Sequence, residues 1–310
     1  MPNILITTSS FAKNESALIE KIEEKGFDVI LNPYGRKLTE DEVDELIDRH
    51  QPVGMIAGVE PLTRSVLEKA DNLKAISRCG IGIDSVDLEA ARVLDIIVTN
   101  TPDAPTIPVA ELTLGMILSL LRRIHLSDAS IRKGGWERPM GNLLYQKTVG
   151  IIGCGRVGTY LARFLHPFEC RILGYDLVSM DRGFCERVSL DALLHNADII
   201  TLHIPYSTEN HHFINDERIK IMKHGAFLIN AARGGLVDED ALYSALNNSS
   251  LGGAALDCFE VEPYNGQLKD LENILVTSHI GSYAKEGRVM MEKQSVENLF
   301  AVLKGIGSLL

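Results

Sequence analysis

The sequence predicts an α/β protein made of two doubly wound domains, each built on a parallel sheet. Short β-type runs alternate with helical patterns almost from end to end, which is typical of βαβ units on a parallel sheet. The alternation breaks at 100–108, where Pro102, Pro105 and Pro108 interrupt it. A chain of 310 residues is long enough to bury one hydrophobic core in each of two domains.

The first domain is predicted to contain five strands and to be discontinuous in the chain. We expect strands at 3–8, 29–32, 54–57, 75–77 and 96–99, with helices at 16–25 and 39–50. The last helical pattern, at about 285–304, is expected to return and pack on this domain. Residues 1–100 with 285–310 would then form the smaller domain, which we predict to be flavodoxin-like.

The second domain is predicted to be Rossmann-like and to span residues 101–284. One long helix at 109–132 should open it. Six strands should follow, at 149–152, 171–175, 199–202, 226–230, 254–257 and 274–277. Helical patterns fall between most of these strands, and six strands with helical crossovers fit a doubly wound sheet.

The bulk composition argues against several classes of partner. The formal net charge is −11, and an acidic surface repels both nucleic-acid phosphates and anionic lipid heads. No apolar run approaches the roughly 20 residues that cross a bilayer. The five cysteines form no C-x-x-C pair and indicate neither a disulfide framework nor a metal site. We therefore predict a cytoplasmic protein without metal, nucleic-acid or membrane binding.

A dinucleotide site is predicted after the first strand of the second domain. In the run Gly-Cys-Gly-Arg-Val-Gly, Gly153 permits a tight turn, Gly155 lets a pyrophosphate approach, and Gly158 allows close packing of helix on strand. The next strand ends at Asp176, 18 residues after Gly158 (176 − 158). A carboxylate there can bind both ribose hydroxyls and repels a 2′-phosphate. Since the nearest arginine is Arg182, the sequence predicts NAD rather than NADP.

Charged residues follow three later strands, at the edge where open α/β sheets bind ligands. Arg233 could bind a carboxylate through two parallel hydrogen bonds, although a surface ion pair is its ordinary role. His279 could exchange a proton near neutral pH, although most single histidines are structural. Glu260 and Glu262 compete equally for the far nitrogen of His279. The residues by themselves do not choose between these two carboxylates.

Five segments resemble the signature segments of the D-isomer-specific 2-hydroxyacid dehydrogenases, in the order and approximate spacing of that family. They are GIGID (80–84), PVAEL (108–112), NAARGGLVD (230–238), ALDCFEVEP (255–263) and SHIG (278–281). The resemblance covers nearly the whole chain, and the phosphoglycerate dehydrogenase-like branch is the most similar. It implies an NAD-dependent oxidoreductase that acts on the CH–OH group of a small anionic 2-hydroxy acid.

The resemblance also implies roles for individual residues and domains. Arg233, Glu262 and His279 would form the catalytic triad, because the glutamate of the family stands directly before a proline. Arg78 and the backbone at Ile81–Gly82 would bind substrate together with Arg233. The first domain would bind substrate and act as a lid, and the second would bind NAD. Further cofactor contacts would come from Arg156, Val157, Ile204, Ala231, Ala232, Ser282 and, at the nicotinamide carboxamide, Asp257.

The resemblance leaves the substrate and the assembly open. Relatives that use a phosphorylated substrate often carry an arginine shortly after the strand near Met55, where this chain reads Gly-Val-Glu at 58–60. Phosphoglycerate is therefore one candidate, glyoxylate or hydroxypyruvate reduction is an alternative, and NAD sensing without turnover is another. Members of the family are usually dimers, and we expect a homodimer interface at 109–121 and 136–138.

Overall fold

The computed structural model describes residues 1–13, 15–178 and 183–307, and the chain forms two compact units. One unit contains Met1–Pro105 and Ser282–Leu310, and the other contains Thr106–Gly281. The chain therefore leaves the first unit once and returns to it near its end.

The first unit is a five-stranded parallel sheet with the strand order β2-β1-β3-β4-β5. Its strands are β1 (Asn3–Ile6), β2 (Asp28–Leu31), β3 (Gly54–Ala57), β4 (Ala75–Arg78) and β5 (Ile97–Asn100). The connecting helices are α1 (Ala17–Glu23), α2 (Glu40–His50), α3 (Arg64–Leu67) and α4 (Leu88–Val93). This order is flavodoxin-like and has its switch point between β1 and β3.

Local sequence explains the elements of this unit. Every residue of β3 and of β4 is buried, as expected for a parallel sheet with both faces covered. Helix α2 begins at a capping box, in which Thr39 and Glu42 each bind the backbone N–H of the other. Since the apolar residues of α2 recur at helical spacing, Val43, Leu46 and Ile47 all face the core.

The second unit is a seven-stranded parallel sheet, counted within the described residues, with the order β12-β11-β10-β9-β6-β7-β8. Its helices are α5 (Thr106–Leu121), α6 (Ile124–Arg132), α7 (Arg156–Leu165), α8 (Leu190–Asn196), α9 (Asp216–Lys220) and α10 (Glu239–Asn247). Its strands are β6 (Thr148–Ile152), β7 (Arg171–Tyr175), β8 (Glu186–Arg187), β9 (Ile199–Leu202), β10 (Ala226–Asn230), β11 (Leu251–Leu256) and β12 (Ile274–Val276). The predicted fold class is confirmed. The predicted strand count misses β8, because two exposed residues leave no hydrophobic pattern.

Two apolar clusters cover the two faces of this second sheet. Consecutive strand residues point to opposite faces, so that Ile151 packs in one cluster and Ile152 in the other. Helices α5 and α7 complete the first cluster, and α8 and α10 complete the second. Because both faces are covered, ligands can reach the sheet only at its edges and at the ends of its strands.

The single helix predicted at 109–132 is wrong, because the chain forms two helices, α5 and α6. Arg123 stands between them with φ of +52°, a left-handed conformation that ends the first helix. The carbonyl of Leu121, near the end of α5, accepts the N–H of Asn142 at 2.8 Å. Helix α5 also begins earlier than predicted, at Thr106, because Pro108 fits in the first turn, where no N–H is needed.

The last helix, α11 (Lys285–Gly307), packs on β3, β4 and β5 of the first unit. Two of its buried residues, Arg288 and Glu292, form an ion pair at 3.2 Å. Glu292 also accepts the N–H of Ala12 at 3.1 Å, which fixes the segment after β1. Among the described helices, none combines the length and the apolar content that a membrane crossing requires.

Candidate active site

The predicted dinucleotide turn lies between β6 and α7. Gly153 has φ of +94°, and a Cβ there would stand 2.6 Å from the carbonyl of His203. A Cβ on Gly158 would stand 2.1 Å from the carbonyl oxygen of Gly153, so only glycine lets α7 pack this close to the turn. Gly155 caps α7, and a Cβ on it would meet nothing within 4 Å. This space lies at a helix N-terminus, which suits a pyrophosphate.

Asp176 stands beside this turn, at the carboxyl end of β7. Its carboxylate accepts the N–H of Cys154 at 2.7 Å and the N–H of Val178 at 2.9 Å. These bonds fix the side chain next to the glycine turn, where a ribose joined to the pyrophosphate would lie. The residues present therefore fit an adenine dinucleotide. Arg182, which entered the prediction of NAD over NADP, lies outside the described residues.

Glu262 and His279 are in direct contact. The Nδ1 atom of His279 lies 3.0 and 2.9 Å from the two carboxylate oxygens of Glu262. The backbone N–H of Phe259 also donates to Glu262 Oε1, at 3.1 Å. Glu260, the competing carboxylate, instead lies 2.6 Å from the Nε2 atom of His212. The structure thus brings Glu262, and not Glu260, to the imidazole of His279.

Asp257 holds the segment that carries His279. It is fully buried at the carboxyl end of β11 and accepts hydrogen bonds from Thr277 Oγ1, Ile280 N and Gly281 N, at 2.6, 2.8 and 2.7 Å. His279 has φ of +56°, so its backbone needs such support. Sequence reasoning assigned Asp257 only to the nicotinamide carboxamide and missed this structural contribution.

Arg233 follows β10 in a turn that Asn230 stabilises. The buried amide of Asn230 donates to the carbonyl of Arg233 at 2.7 Å and accepts the N–H of Ala232 at 3.0 Å. A Cβ on Gly234 would stand 1.9 Å from the carbonyl carbon of Phe259, so this turn lies directly against the segment that leads to Glu262. Sequence reasoning did not identify Asn230, although a buried amide after a strand is the signal that could have found it.

The charged groups of this unit surround Cys258. Burial raises the pKa of the Cys258 thiol, Asp257 and Glu262 raise it further, and Arg233 lowers it. The thiol is therefore unreactive. Asp257 and Cys258 are both buried in the segment that packs against the turn after Arg233. Three further residues predicted to contact cofactor also follow strands of this sheet. Ile204 and Ala232 are half-buried, and Ala231 is buried.

The predicted substrate residues of the first unit lie at the carboxyl ends of its strands. Arg78 ends β4 and is buried. The segment that follows is fixed by β5, since Asn100 donates to the carbonyl of Ile81 at 2.7 Å. Gly82 is half-buried, as is Ser282, which also belongs to this unit.

Sequence analysis missed a buried carboxylate in the first unit. Glu60 is 1% exposed and accepts the N–H of Gly58 at 3.0 Å and the hydroxyl of Thr7. Burial raises its pKa, while its hydrogen bonds and the charge of Arg78 lower it. Arg78 ends β4, the strand next to β3, and Glu60 stands in the segment that follows β3.

The fold and the glycine turn define a nucleotide-binding α/β protein, and comparison with known proteins makes this specific. Residues 114–281 match the family model described as the NAD binding domain of D-isomer specific 2-hydroxyacid dehydrogenases. The chain belongs to this family, and the predicted family and NAD cofactor are confirmed. The match covers the glycine turn, Asp176 and the segments that carry Arg233, Glu262 and His279.

Individual relatives agree with this assignment. D-3-phosphoglycerate dehydrogenase of Methanocaldococcus jannaschii is 40% identical over 276 residues, 86% of this chain and 52% of that protein. Hydroxypyruvate reductase of Thermotoga maritima is 34% identical over 92% of this chain and 96% of that protein. The crystal structure of TT0316 from Thermus thermophilus is 36% identical, with a TM-score of 0.90 over 98% of this chain and 97% of that one. The chain spans about half the length of the phosphoglycerate dehydrogenases that it matches.

Proposed function

We propose that this chain is an NAD-dependent dehydrogenase that interconverts a small D-2-hydroxy acid and the corresponding 2-oxo acid. The observation that carries the proposal is the 2.9 Å contact between His279 Nδ1 and Glu262, in the unit that contains the dinucleotide turn. An imidazole with one nitrogen fixed by a carboxylate has the other nitrogen left for proton transfer. Arg233, in the turn that packs against the segment leading to Glu262, supplies the cation that an anionic substrate needs in an acidic protein.

The residues of the chain divide the chemistry among them. NAD, when bound, supplies the hydride acceptor for oxidation, and NADH supplies the donor for reduction. Arg233 binds the substrate carboxylate and orients C2. Neutral His279 takes the hydroxyl proton through Nε2 during oxidation, and the imidazolium returns it during reduction. Glu262 keeps the proton of the neutral ring on Nδ1 and stabilises the charged ring.

The dinucleotide is held by residues that follow successive strands of the second unit. The glycine turn, with the backbone N–H groups of Arg156 and Val157, accommodates the pyrophosphate, and Asp176 binds the ribose. Asp257 accepts hydrogen bonds from Thr277, Ile280 and Gly281, and since a carboxylate can accept about four, we expect it to bind the carboxamide as well. Two sets of contacts are proposed from the resemblance alone. They are the cofactor contacts of Ile204, Ala231, Ala232 and Ser282, and the substrate contact of Ile81–Gly82.

Two classes of substrate compete, and the first unit supplies the arguments for both. Relatives named D-3-phosphoglycerate dehydrogenase and the buried cation of Arg78 favour a phosphorylated acid. Glu60 argues against a phosphate in the segment after β3, because a buried acidic side chain, unlike an arginine, offers the phosphate no cation. A Cβ on Gly58 would stand 2.7 Å from Glu60 Oε2, so a side chain at position 58 would need Glu60 to move. The glycine and the acidic residue in this segment favour glyoxylate or hydroxypyruvate as the second candidate.

The test is NADH oxidation, followed by absorbance, with phosphohydroxypyruvate, hydroxypyruvate, glyoxylate and pyruvate. His279→Asn is the matched control, and binding of NADH is measured for both proteins. Turnover that the control loses while still binding NADH supports the proposal. Turnover that persists in the control contradicts the catalytic assignment. Wild-type protein that binds NADH but turns over none of these acids contradicts the proposed activity and favours NAD sensing.

The chain is proposed to act as a homodimer that joins through its second unit. Helix α6 has no buried residue, although Ile124 and Ile131 on it are apolar. In the segment that follows, Trp136 is 82% exposed and Met140 is 88% exposed. A second copy of the chain that covers these side chains would explain so much exposed apolar surface. Sedimentation at the mass of a single chain, 34.1 kDa, would contradict the dimer.

A cytoplasmic location is proposed on the state of the cysteines. All five thiols are free, and three of them are buried. Burial raises the pKa of the half-buried Cys170 to about 11, which keeps it protonated and poorly reactive. Free, protected thiols are typical of reducing compartments. Localisation of a fluorescently tagged chain tests this, and export from the cytoplasm would contradict it.

A further inference from the structure

The proposed reaction depends on the position of Glu262, and the segment that sets this position carries a second histidine–carboxylate pair. Glu262 binds His279 and also accepts the N–H of Phe259 at 3.1 Å. Glu260 lies between Phe259 and Glu262, and its side chain points to His212 rather than to His279. The Nε2 atom of His212 lies 2.6 Å from Glu260 Oε1. This contact is short enough for a strong, charge-assisted hydrogen bond.

His212 is itself firmly placed. Its backbone N–H donates to the carbonyl of Gly235 at 2.8 Å, and its ring stacks on His211 with centroids 3.8 Å apart. Its φ is +52°, a left-handed conformation that a non-glycine residue rarely adopts. Such a conformation persists only where surrounding contacts fix it, and it occurs often at functional sites.

The pair connects the two segments that carry the catalytic residues. Gly235 belongs to the turn after Arg233, and Glu260 belongs to the segment that ends at Glu262. A Cβ on Gly234 would lie 1.9 Å from the carbonyl carbon of Phe259, so the two backbones touch at this place. The hydrogen bond between His212 and Glu260 fastens them together beside that contact. Displacement of the Glu262 segment would withdraw the carboxylate from His279.

We infer that His212 is a positioning residue for the proposed reaction, which fixes Glu260 and thereby keeps Glu262 against His279. This inference rests on the proposed function. Sequence analysis considered Glu260 only as a rival of Glu262, whereas the structure gives it a separate partner. The two glutamates then have different tasks, because Glu262 contacts the acid–base histidine and Glu260 anchors the segment.

Several charged groups surround His212 and must be considered in any measurement against pH. Asp238 Oδ2 lies 3.8 Å from its Nδ1 atom. Glu239 accepts the backbone N–H of Glu260 at 2.8 Å, and burial raises the pKa of Glu239. His211 covers one face of the ring. His212 therefore lies among three carboxylates, those of Asp238, Glu239 and Glu260.

The experiment compares His212→Ala and His212→Gln with the wild type, on the 2-oxo acid that NADH reduces fastest. His224→Ala is the control, an exposed histidine at the opposite, amino end of β10. We expect His212→Ala to lower kcat by about 10- to 100-fold, because small misplacements of catalytic groups have effects of this size. NADH binding should stay within about twofold, since the dinucleotide turn is not involved. His212→Gln, which can still donate to Glu260, should restore most of kcat.

The pH dependence of kcat/KM separates positioning from general loss of structure. In His212→Ala, the pH of half-maximal kcat/KM should shift, because the acid–base imidazole loses its fixed carboxylate, whereas partial unfolding would lower the curve without moving it. Glu260→Ala, at an exposed residue, provides a second variant if His212→Ala does not fold. The double variant should be no slower than the slower single one, since both break one contact.

The possible results distinguish failure of the positioning inference from failure of the proposed function. A normal kcat and an unshifted pH profile in His212→Ala, as in His224→Ala, would overturn this inference. Loss of NADH binding in a folded His212→Ala, or multiplicative effects in the double variant, would also overturn it. If His279→Asn keeps full turnover, the proposed function itself fails. If His279→Asn is inactive while His212→Ala is normal, only the positioning inference fails.

Discussion

Acidification should destabilise the second unit through His203, which lies under the dinucleotide turn. Its Nε2 atom lies 3.0 Å from Thr201 Oγ1, and the backbone of Gly153 packs against its carbonyl. Burial lowers the pKa of His203 from 6.5 to about 4. The unfolded chain therefore takes up a proton below pH 6.5, whereas the folded chain does so only near pH 4. The free energy of unfolding contributed by this difference is fully present above pH 6.5 and is lost as the pH falls toward 4.

The size of the effect follows from the width of this pH window. Each pH unit in which only the unfolded state binds the proton lowers the free energy of unfolding by about 1.4 kcal/mol. Lowering the pH from 7.5 to 5.0 covers roughly 1.5 pH units below the unfolded pKa of 6.5. The free energy of unfolding should therefore fall by at most about 2 kcal/mol. Part of the residue reaches the surface, so this value is an upper bound. For a chain of this length, such a loss is a noticeable share of the total stability.

Urea denaturation of the wild type and of His203→Gln, at pH 7.5 and 5.0, measures the difference. Glutamine can still bind Thr201 but does not titrate. The variant therefore lacks the pH dependence of stability that comes from His203, whereas the contributions of all other titratable groups are the same in both proteins. Hydrogen exchange of peptides from β9 reports on the second unit by itself. We expect the wild type to lose up to about 2 kcal/mol more than the variant between the two pH values. Equal losses in both proteins would refute the argument.

Three substitutions test the rest of the site. His279→Ala should lower kcat by about 10²–10⁴, the usual contribution of general acid–base catalysis, and steady-state kinetics that show near-normal kcat would contradict its role. Arg233→Ala should lower kcat/KM for 2-oxo acids by about 10- to 100-fold, since a charged hydrogen bond to the substrate is lost. NADH titrations should stay unchanged. An unchanged kcat/KM would exclude Arg233 from substrate binding. Gly158→Ala should weaken NADH binding and lower Tm, because its Cβ would lie 2.1 Å from the oxygen of Gly153. Gly115→Ala, in open space on α5, is the control, and equal Tm values would show that the close packing is unnecessary.

The sequence was sufficient for features that depend on neighbouring residues. Alternating strand and helix patterns predicted the α/β class, because burial on both faces of a parallel sheet leaves continuous apolar runs. The glycine spacing at Gly153, Gly155 and Gly158 predicted the dinucleotide turn, since Gly153 and Gly158 meet local steric requirements and Gly155 leaves space at the start of α7. The same reasoning failed at Arg123, where a left-handed residue divides one predicted helix into α5 and α6. No glycine or proline marked that break.

The partners of individual side chains were decided only by the tertiary structure. Glu260 and Glu262 are two residues apart and equivalent by composition, yet one binds His212 and the other His279. The partner of each glutamate depends on the turn after Arg233, which packs against Phe259. That turn follows β10, whereas the two glutamates follow β11. Asp257 likewise supports His279 only because β11 and β12 are adjacent in the sheet. Sequence determined the turn, the strands and the residue types of this protein, whereas strand order determined the contacts, because residues far apart in the chain meet only at the ends of neighbouring strands.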